Sequence, residues 1–383
     1  MSDADKFCIG LIINPIAGMG GAVGLKGTDG VEILEKAKKL NAKPNAHNRC
    51  KEFLENLAPL NKKIKIITCP GDMGENVVSK TEFVYEPIDS PVLRNRVKIF
   101  ETTRMQTMEA ATYLKGYDEV KIIVFVGGDG TARDILEAVD QEIPCLGIPA
   151  GVKIYSSVFA NNPKLAADII IQFLWDELPL REAEVLDIDE EQFRNGKLVS
   201  SLYGYLNIPF EPNYTQHSKM ATPNSYDELN NQERVAKRII AEFVEDTYYL
   251  LGPGTTIKAI TDMLNQEKSL LGVDLLLNKK IIGLDLNEAQ ILERIEDKNV
   301  KIVITPIGRQ GFLFGRGNLQ ISDKVLKKVG PENIIVVATR YKFENLAGKK
   351  MRIDTRNPEF DYEMRGEYKV LIDYEEEKIC DLV

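Results

Sequence analysis

The stretch Phe125-Val126-Gly127-Gly128-Asp129-Gly130-Thr131 ends an apolar run in three glycines set around one carboxylate. Glycine lets main-chain N–H groups come close to a phosphate and accepts turn geometries that side chains resist. Ile135, Leu136, Ala138 and Val139 follow at helical spacing, which puts the turn at a helix N-terminus, where the positive end of the dipole favours an anion. The chemistry this suits is nucleotide or phosphate binding, with Asp129 facing the bound group. An ordinary strand-to-helix turn capped by an aspartate would use the same residues.

A second glycine cluster shifts the balance. After Ile9-Gly10-Leu11-Ile12-Ile13 come Asn14-Pro15-Ile16-Ala17-Gly18-Met19-Gly20-Gly21, then Gly24, Lys26, Gly27, Thr28, Asp29 and Gly30. Two apolar strands that both end in glycine loops predict one ligand crevice at the carboxyl edge of a parallel sheet. Val23 stands where the third glycine of G-x-G-x-x-G would fall, and no segment reads G-x-x-x-x-G-K-[ST]; a standard dinucleotide-binding dehydrogenase or P-loop enzyme is therefore disfavoured.

Charged residues around these loops supply the remaining candidates. Lys26 lies in the first loop and Lys153 follows Gly147-Ile148-Pro149-Ala150-Gly151-Val152; each is a compact cation for phosphate or a solvated surface lysine. Asp134, about one turn beyond Asp129, is a candidate Mg²⁺ ligand or a residue at ease in a first helical turn, and Asp29 is a partner for Lys26 or for metal. Arg316, in Gly315-Arg316-Gly317-Asn318, is a candidate clamp for phosphate or carboxylate. Asp274, after Leu270-Leu271-Gly272-Val273, is a ribose or metal contact or a structural aspartate. Only two histidines occur, His47 and His217, both in polar surroundings that read as solvent-exposed, so serine-histidine catalysis and a histidine metal centre lack support.

Alternating strand and helix signals are expected to position these residues. Strands are predicted near 7–13, 64–69, 82–86, 120–126 and 144–148 and helices near 31–40, 104–115 and 131–140, the pattern of a parallel α/β sheet. Asn162-Pro163 opens another helix. Strands rich in charge, 182–189 and 198–206, then place a boundary near 180. A proline-rich polar loop over 209–225, a helix near 226–243 and strands near 247–251, 272–277, 301–305 and 333–338 follow, while Thr255 to Leu264 and Leu286 to Ile295 look helical.

The order of Asn14-Pro15 with its glycines, Gly127-Gly128-Asp129-Gly130-Thr131, Gly147 to Lys153, and Gly252-Pro253-Gly254-Thr255-Thr256 resembles the NAD kinase superfamily, which also contains diacylglycerol and sphingosine kinases. With the Gly315-Arg316-Gly317-Asn318 run, the chain is most similar to the archaeal and bacterial group of predicted ATP-NAD kinases, close to the AcoX proteins. The resemblance implies an α/β first domain on a parallel sheet, over 1–180. It further implies a mainly β, sandwich-like second domain with helical insertions, over 181–345, and a segment 346–383 that returns to the first domain. It implies phosphoryl transfer from ATP or polyphosphate, assisted by Mg²⁺ or another divalent cation, to the 2′-hydroxyl of the adenosine ribose of NAD. Asp129 would accept the hydroxyl proton; a carboxylate of ordinary pKa near 4 is a weak base, tolerable where positioning outweighs basicity. The binding surface would use Asn14, Gly18, Gly20, Gly21, Gly127, Gly128, Gly130, Thr131, Gly252, Gly254, Thr255 and Thr256 with the lysines and arginine above. One departure concerns the acceptor: the family's Asn-Glu pair has its nearest match at Asn207-Ile208-Pro209, without the glutamate. A kinase of another hydroxylated metabolite and a non-catalytic NAD(P)-binding sensor are the alternatives.

Composition sets outer limits. A chain of 383 residues with 44% hydrophobic content has room for two cores, and a formal charge of −9 argues against a nucleic-acid partner. The longest apolar runs fall far short of a membrane span, and no leader pattern opens the chain, so a cytoplasmic protein without membrane partners is expected. Family habit adds a homo-oligomer. Cys8, Cys50, Cys69, Cys145 and Cys380 are scattered, without a C-x-x-C pair, and read as core fillers rather than disulfides or metal ligands.

Overall fold

A computed structural model of the chain describes residues 6–21, 23, 25, 31–93, 99–151, 154–188, 200–212, 214–215, 226–307 and 311–383. Lys26, Asp29, Lys153 and His217 lie outside the described residues. The chain forms two compact units, the first made of Met1–Met19, Gly27–Phe193 and Lys197–Ser218 and the second of Gly20–Lys26, Arg194–Gly196 and Lys219–Val383.

In the first unit, strands β1 (Phe7–Ile13), β2 (Ile64–Thr68), β3 (Val84–Pro87), β4 (Val120–Gly127) and β5 (Cys145–Pro149) pair in parallel in the order β3-β2-β1-β4-β5. The chain works outward from β1 to β3 and then restarts on the other side of β1. The switch point therefore lies between β1 and β4, the two strands with glycine-rich ends, where a ligand crevice belongs in such sheets. Both faces are covered, so the central strands are apolar throughout and alternate between two cores. Ile122, Val124 and Val126 face one core with Phe53 and Leu54 of α2 (Ala46–Leu57) and Ile169 and Ile170 of α6 (Pro163–Leu174). Ile123 and Phe125 face the other, with Leu114 of α4 (Arg104–Lys115) and Ile135 and Val139 of α5 (Asp129–Val139). Helices α1 (Val31–Lys39) and α3 (Glu75–Val78) complete the connections.

Two helix starts follow from capping chemistry. Thr103 and Gln106 form a reciprocal capping box at α4, and Asn162 accepts from Leu165 N at 2.8 Å ahead of Pro163. Helix α2 escaped the sequence reading, because its start, Asn45, makes no side-chain cap and its first turn carries no acidic residue. His47, in that first turn, is half-buried with Nε2 2.6 Å from Asp72 O, so it is not the free surface residue expected.

The boundary expected near 180 moves. Strands β6 (Leu180–Ile188) and β7 (Ser200–Pro209) form an antiparallel hairpin whose Ala183, Val185, Leu206 and Ile208 enter the same core as Ile135. Gly204 sits so close over α5 that a Cβ there would lie 2.7 Å from Leu136 Cδ2. The hairpin thus belongs to the first unit, which runs to Ser218.

The second unit carries a seven-stranded mixed sheet. Strands β8 (Tyr248–Leu251), β9 (Asp274–Leu277), β10 (Lys280–Gly283), β11 (Val300–Ile304), β13 (Ile334–Val337), β15 (Gly366–Asp373) and β16 (Glu376–Leu382) run in the order β10-β9-β8-β11-β13-β15-β16. Strands β8, β11, β13 and β15 are parallel, and the strands beyond them at either edge turn antiparallel. Short strands β12 (Phe312–Phe314) and β14 (Arg352–Ile353) pair separately. One face packs on Val235 and Ile239 of α7 (Tyr226–Ala241) and Ile257 and Ile260 of α8 (Thr255–Met263). The other packs on Ile291 of α9 (Glu288–Arg294), Val325 and Leu326 of α10 (Asp323–Val329) and Phe360 of α12 (Pro358–Glu363), with α11 (Arg340–Glu344) following β13. The strand content of this domain is therefore laid out as one sheet between helical layers, and the stretches that looked helical at 255–264 and 286–295 supply two of the covering helices. The segment 346–383, expected to return to the first domain, instead supplies β15 and β16 to this sheet, because β15 finds a parallel partner in β13.

The cysteines are free and buried, as core fillers should be. Loss of water pushes the Cys8 thiol up to about 11 and the Cys69 thiol up to about 12.

Candidate functional site

Three loops meet at the switch point of the first sheet. Asn14, just past β1, donates from its main-chain N to Val126 O at 3.0 Å and from Nδ2 to Thr131 Oγ1 at 2.9 Å, tying the first loop to the second. Gly127 O in turn accepts from Ala150 N at 2.9 Å and Gly151 N at 3.3 Å, which ties the second to the loop after β5. Gly18, at φ +73°, closes the set: a Cβ there would lie 1.6 Å from Ala150 O. Gly127 is bare for a packing reason, since its Cβ would fall 2.5 Å from the buried Thr131 side chain.

Gly128 is bare for a different reason. It precedes α5 with ordinary extended angles, φ −130° and ψ −166°, and the nearest atom to a Cβ there is Gly151 Cα at 3.9 Å. Among the described residues no neighbour demands a glycine, and a bare position here leaves open access to main-chain N–H groups at the start of an 11-residue helix. Gly128, Asp129 and Gly130 are all half-buried at this surface.

Asp129 opens α5, and its carboxylate accepts from Tyr155 N at 2.9 Å and 3.2 Å and from Ser156 N at 2.9 Å. The same acid is thus oriented by the main chain and pins the segment that follows the Gly151 turn. Sequence reasoning had Asp129 facing a ligand but gave no sign of this anchor, which joins residues 26 and 27 positions apart.

Asp134 is placed elsewhere. It is buried, its Oδ1 stands 3.2 Å from Arg104 Nε of α4, and Arg104 also reaches Glu137. Tyr203 donates to Glu137 and, with Arg104, holds that carboxyl below its usual range. Among the described residues no group of three or more His, Cys, Asp or Glu side chains is gathered as a metal site. Asp134, a candidate Mg²⁺ ligand or first-turn residue from sequence, thus sits beside Arg104 in the fold. Asp134→Asn should lower stability by about 1–2 kcal/mol, the pair being partly exposed on the arginine side, and leave the metal requirement of any activity unchanged. Thermal melts and a Mg²⁺ titration check this; a raised Mg²⁺ requirement in the variant would restore the metal role.

The second unit builds a separate cluster at the carboxyl ends of its parallel strands. Gly252 N, after β8, donates to Val303 O at 2.9 Å, and Gly254, at φ +112°, opens α8. Thr255 is exposed and Thr256 buried. Lys342 Nζ, from α11, donates to Thr256 Oγ1 at 3.2 Å and to Thr305 Oγ1, beyond β11, at 3.1 Å. Burial pushes the Lys342 amine down to about 8, against an opposing pull from Glu228 of α7. Its acylation rate should therefore climb through pH 8, where the neutral amine appears, whereas surface lysines need about pH 10.4; peptide mass mapping of labelled protein reads this directly. Lys342 was missed because no glycine marks it. The available signal was Thr339, which accepts from Lys342 N at 3.2 Å as the cap of a helix starting at the end of a parallel strand.

Two other expected residues turn inward. Asp274 is fully buried; it accepts from Ser269 N at 3.0 Å, Ser269 Oγ at 2.7 Å and Asp285 N at 2.7 Å, and pairs with Lys268 Nζ at 3.0 Å. It is the structural aspartate of the two readings. Arg316 is buried over the Phe312 ring at 4.7 Å and stands 3.8 Å from Asp354 Oδ2. Its flanking Gly315 is required by fold, since a Cβ would lie 1.8 Å from Asp354 O. Arg316 is thus enclosed by the second unit rather than displayed on its surface. Gly20 and Gly21 are buried and are grouped with the second unit.

The family model described as the ATP-NAD kinase N-terminal domain matches residues 9–178, and that described as the ATP-NAD kinase C-terminal domain matches residues 244–382. No curated protein and no solved structure matches the chain.

Proposed function

The chain belongs to the NAD kinase superfamily, a group of phosphotransferases, and on that premise we propose that it transfers the terminal phosphoryl group of ATP or polyphosphate to the 2′-hydroxyl of the adenosine ribose of NAD, forming NADP. The observation that carries this reading is the half-buried Asp129 carboxylate, oriented by Tyr155 N and Ser156 N between two bare glycines at the sheet's switch point. The phosphoryl donor lies on the amides at the start of α5, beside Gly18 of the β1 loop. Asp129 orients the ribose hydroxyl and takes its proton as the oxygen bonds to phosphorus and the donor's bridging P–O bond breaks. A loose transition state of this kind asks for alignment and charge stabilisation more than for a strong base. A divalent cation, bound with the donor's phosphates as Mg²⁺ commonly is, would neutralise part of their charge.

Purified protein incubated with NAD, Mg²⁺ and either ATP or polyphosphate should yield NADP; no NADP from any donor removes the assignment. A second reading, phosphorylation of another small hydroxylated metabolite, is favoured by one feature on the acceptor side. Asn207 lies in the β7 strand with Nδ2 donating to Gln141 O at 3.1 Å, and this nearest match to the family's Asn-Glu pair lacks the glutamate. A panel of alcohol acceptors separates the two. Among the described residues no helix is long and apolar enough to cross a membrane.

A further inference from the structure

The second unit holds two lysine amines away from the open surface, Lys268 fully buried and Lys342 half-buried, and matches them differently. Lys268 has a counterion of its own, Asp274, at 3.0 Å with both side chains fully buried. Lys342 has none within ion-pair distance among the described residues: its ammonium meets only the hydroxyl oxygens of Thr256 and Thr305, and Glu228 acts on it through space. A partly desolvated cation without a matched anion is costly, and the pair of threonines does not supply the charge.

The donors at this spot outnumber the acceptors. An ammonium has three N–H groups, of which two point at the threonine oxygens; each threonine hydroxyl, having accepted from Lys342, still has its own O–H to give. Thr256 and Thr305 are almost wholly buried, so water is a poor acceptor for them. Thr256 also lies in the first turn of α8, where the helix presents further N–H groups and the positive end of its dipole. Lysine, two hydroxyls and a helix start converge, and what is lacking is a compact anion with several acceptor oxygens.

We propose that Lys342, with the Thr256 and Thr305 hydroxyls, binds a phosphoryl group of a substrate seated on the Gly252–Thr256 turn, so that the counterion Lys268 finds within the chain is supplied to Lys342 by the ligand. This rests on the reading of the protein as a kinase of a phosphorylated nucleotide, and it gives the second unit a phosphate anchor of its own. Lys342 is a binding residue here; it takes no proton from the reacting hydroxyl.

The test uses the full chain and inorganic triphosphate as probe. Triphosphate should slow acylation of Lys342 in the parent protein by about tenfold or more, and Lys342→Met should weaken triphosphate binding and raise the KM for the phosphorylated substrate by about 10–100-fold with kcat little changed, as loss of a charge-assisted contact requires. Lys342→Arg should recover part of the loss. If Lys342→Met folds poorly, Thr305→Val, which removes one donor at constant shape, should give a smaller loss in the same direction. Equal acylation with and without triphosphate, or unchanged binding in both variants, overturns the proposal even in a protein that makes NADP. Protection of Lys342 in a protein that makes no NADP upholds the anion site and sinks the assignment of NAD as acceptor instead.

Discussion

Asp129→Ala protein is expected to form NADP about 10²–10⁴-fold more slowly than the parent, with a much smaller loss of NAD affinity. The fall combines two losses: the ribose hydroxyl loses the group that orients it and takes its proton, and Tyr155 N and Ser156 N lose their acceptor. The second loss makes the choice of substitution matter. Asp129→Asn keeps shape but turns one amide donor toward main-chain donors, at a cost of about 1–3 kcal/mol to local stability. Alanine introduces no competing donor, but it leaves Tyr155 N and Ser156 N, both in buried residues, without their acceptor, so its stability is measured beside its turnover. Turnover and calorimetric NAD affinity on the same preparation separate the terms. Parental activity in Asp129→Ala would remove the residue from the reaction, and a parent that binds NAD(P) without turnover would be the sensor considered from sequence.

A pair of glycine substitutions should give opposite signatures. Gly18→Ala forces a methyl to 1.6 Å from Ala150 O at φ +73°, a backbone clash that no rotamer change relieves, so the first unit should lose about 2–4 kcal/mol and its loop set should come apart. Gly128→Ala meets nothing nearer than 3.9 Å and keeps ordinary backbone angles, so stability should change by less than about 1 kcal/mol. Its methyl would nonetheless stand in front of the amides at the start of α5, and nucleotide affinity should fall about 10–100-fold. Denaturant melts beside nucleotide titrations check both. A Gly128→Ala protein that binds nucleotide as the parent does would show that the glycine turn merely connects a strand to a helix.

What the sequence disclosed here, and what it hid, follow the range of the interactions involved. The strands of the first sheet were legible because apolar runs end in glycine, and the joint service of β1 and β4 followed from both ends being glycine-rich. Contacts local in sequence, such as the Asn162 cap at Leu165, were legible too. Long-range partners were not. Asp134 looked available for metal until Arg104 on α4 took it, and Asp274 looked like a strand-end ligand until Lys268, Ser269 and Asp285 enclosed it. The hairpin 180–209 read as the start of a new domain because its charges suggest a solvated sheet, yet only one of its faces is wet while Ala183, Val185, Leu206 and Ile208 are sealed against α5. Lys342 needed the tertiary fold, since the ends of β8, β11 and β13 lie far apart in sequence and meet only at the sheet edge.

With every cysteine interior and the thiols of Cys8 and Cys69 shifted well above neutrality, the folded molecule offers alkylating reagents almost no thiolate to attack. Sulfhydryl trapping becomes a stopwatch for each half of the chain: Cys8, Cys50, Cys69 and Cys145 time the opening of the first unit and Cys380 that of the second, so a nucleotide that clamps one half should lengthen its interval alone.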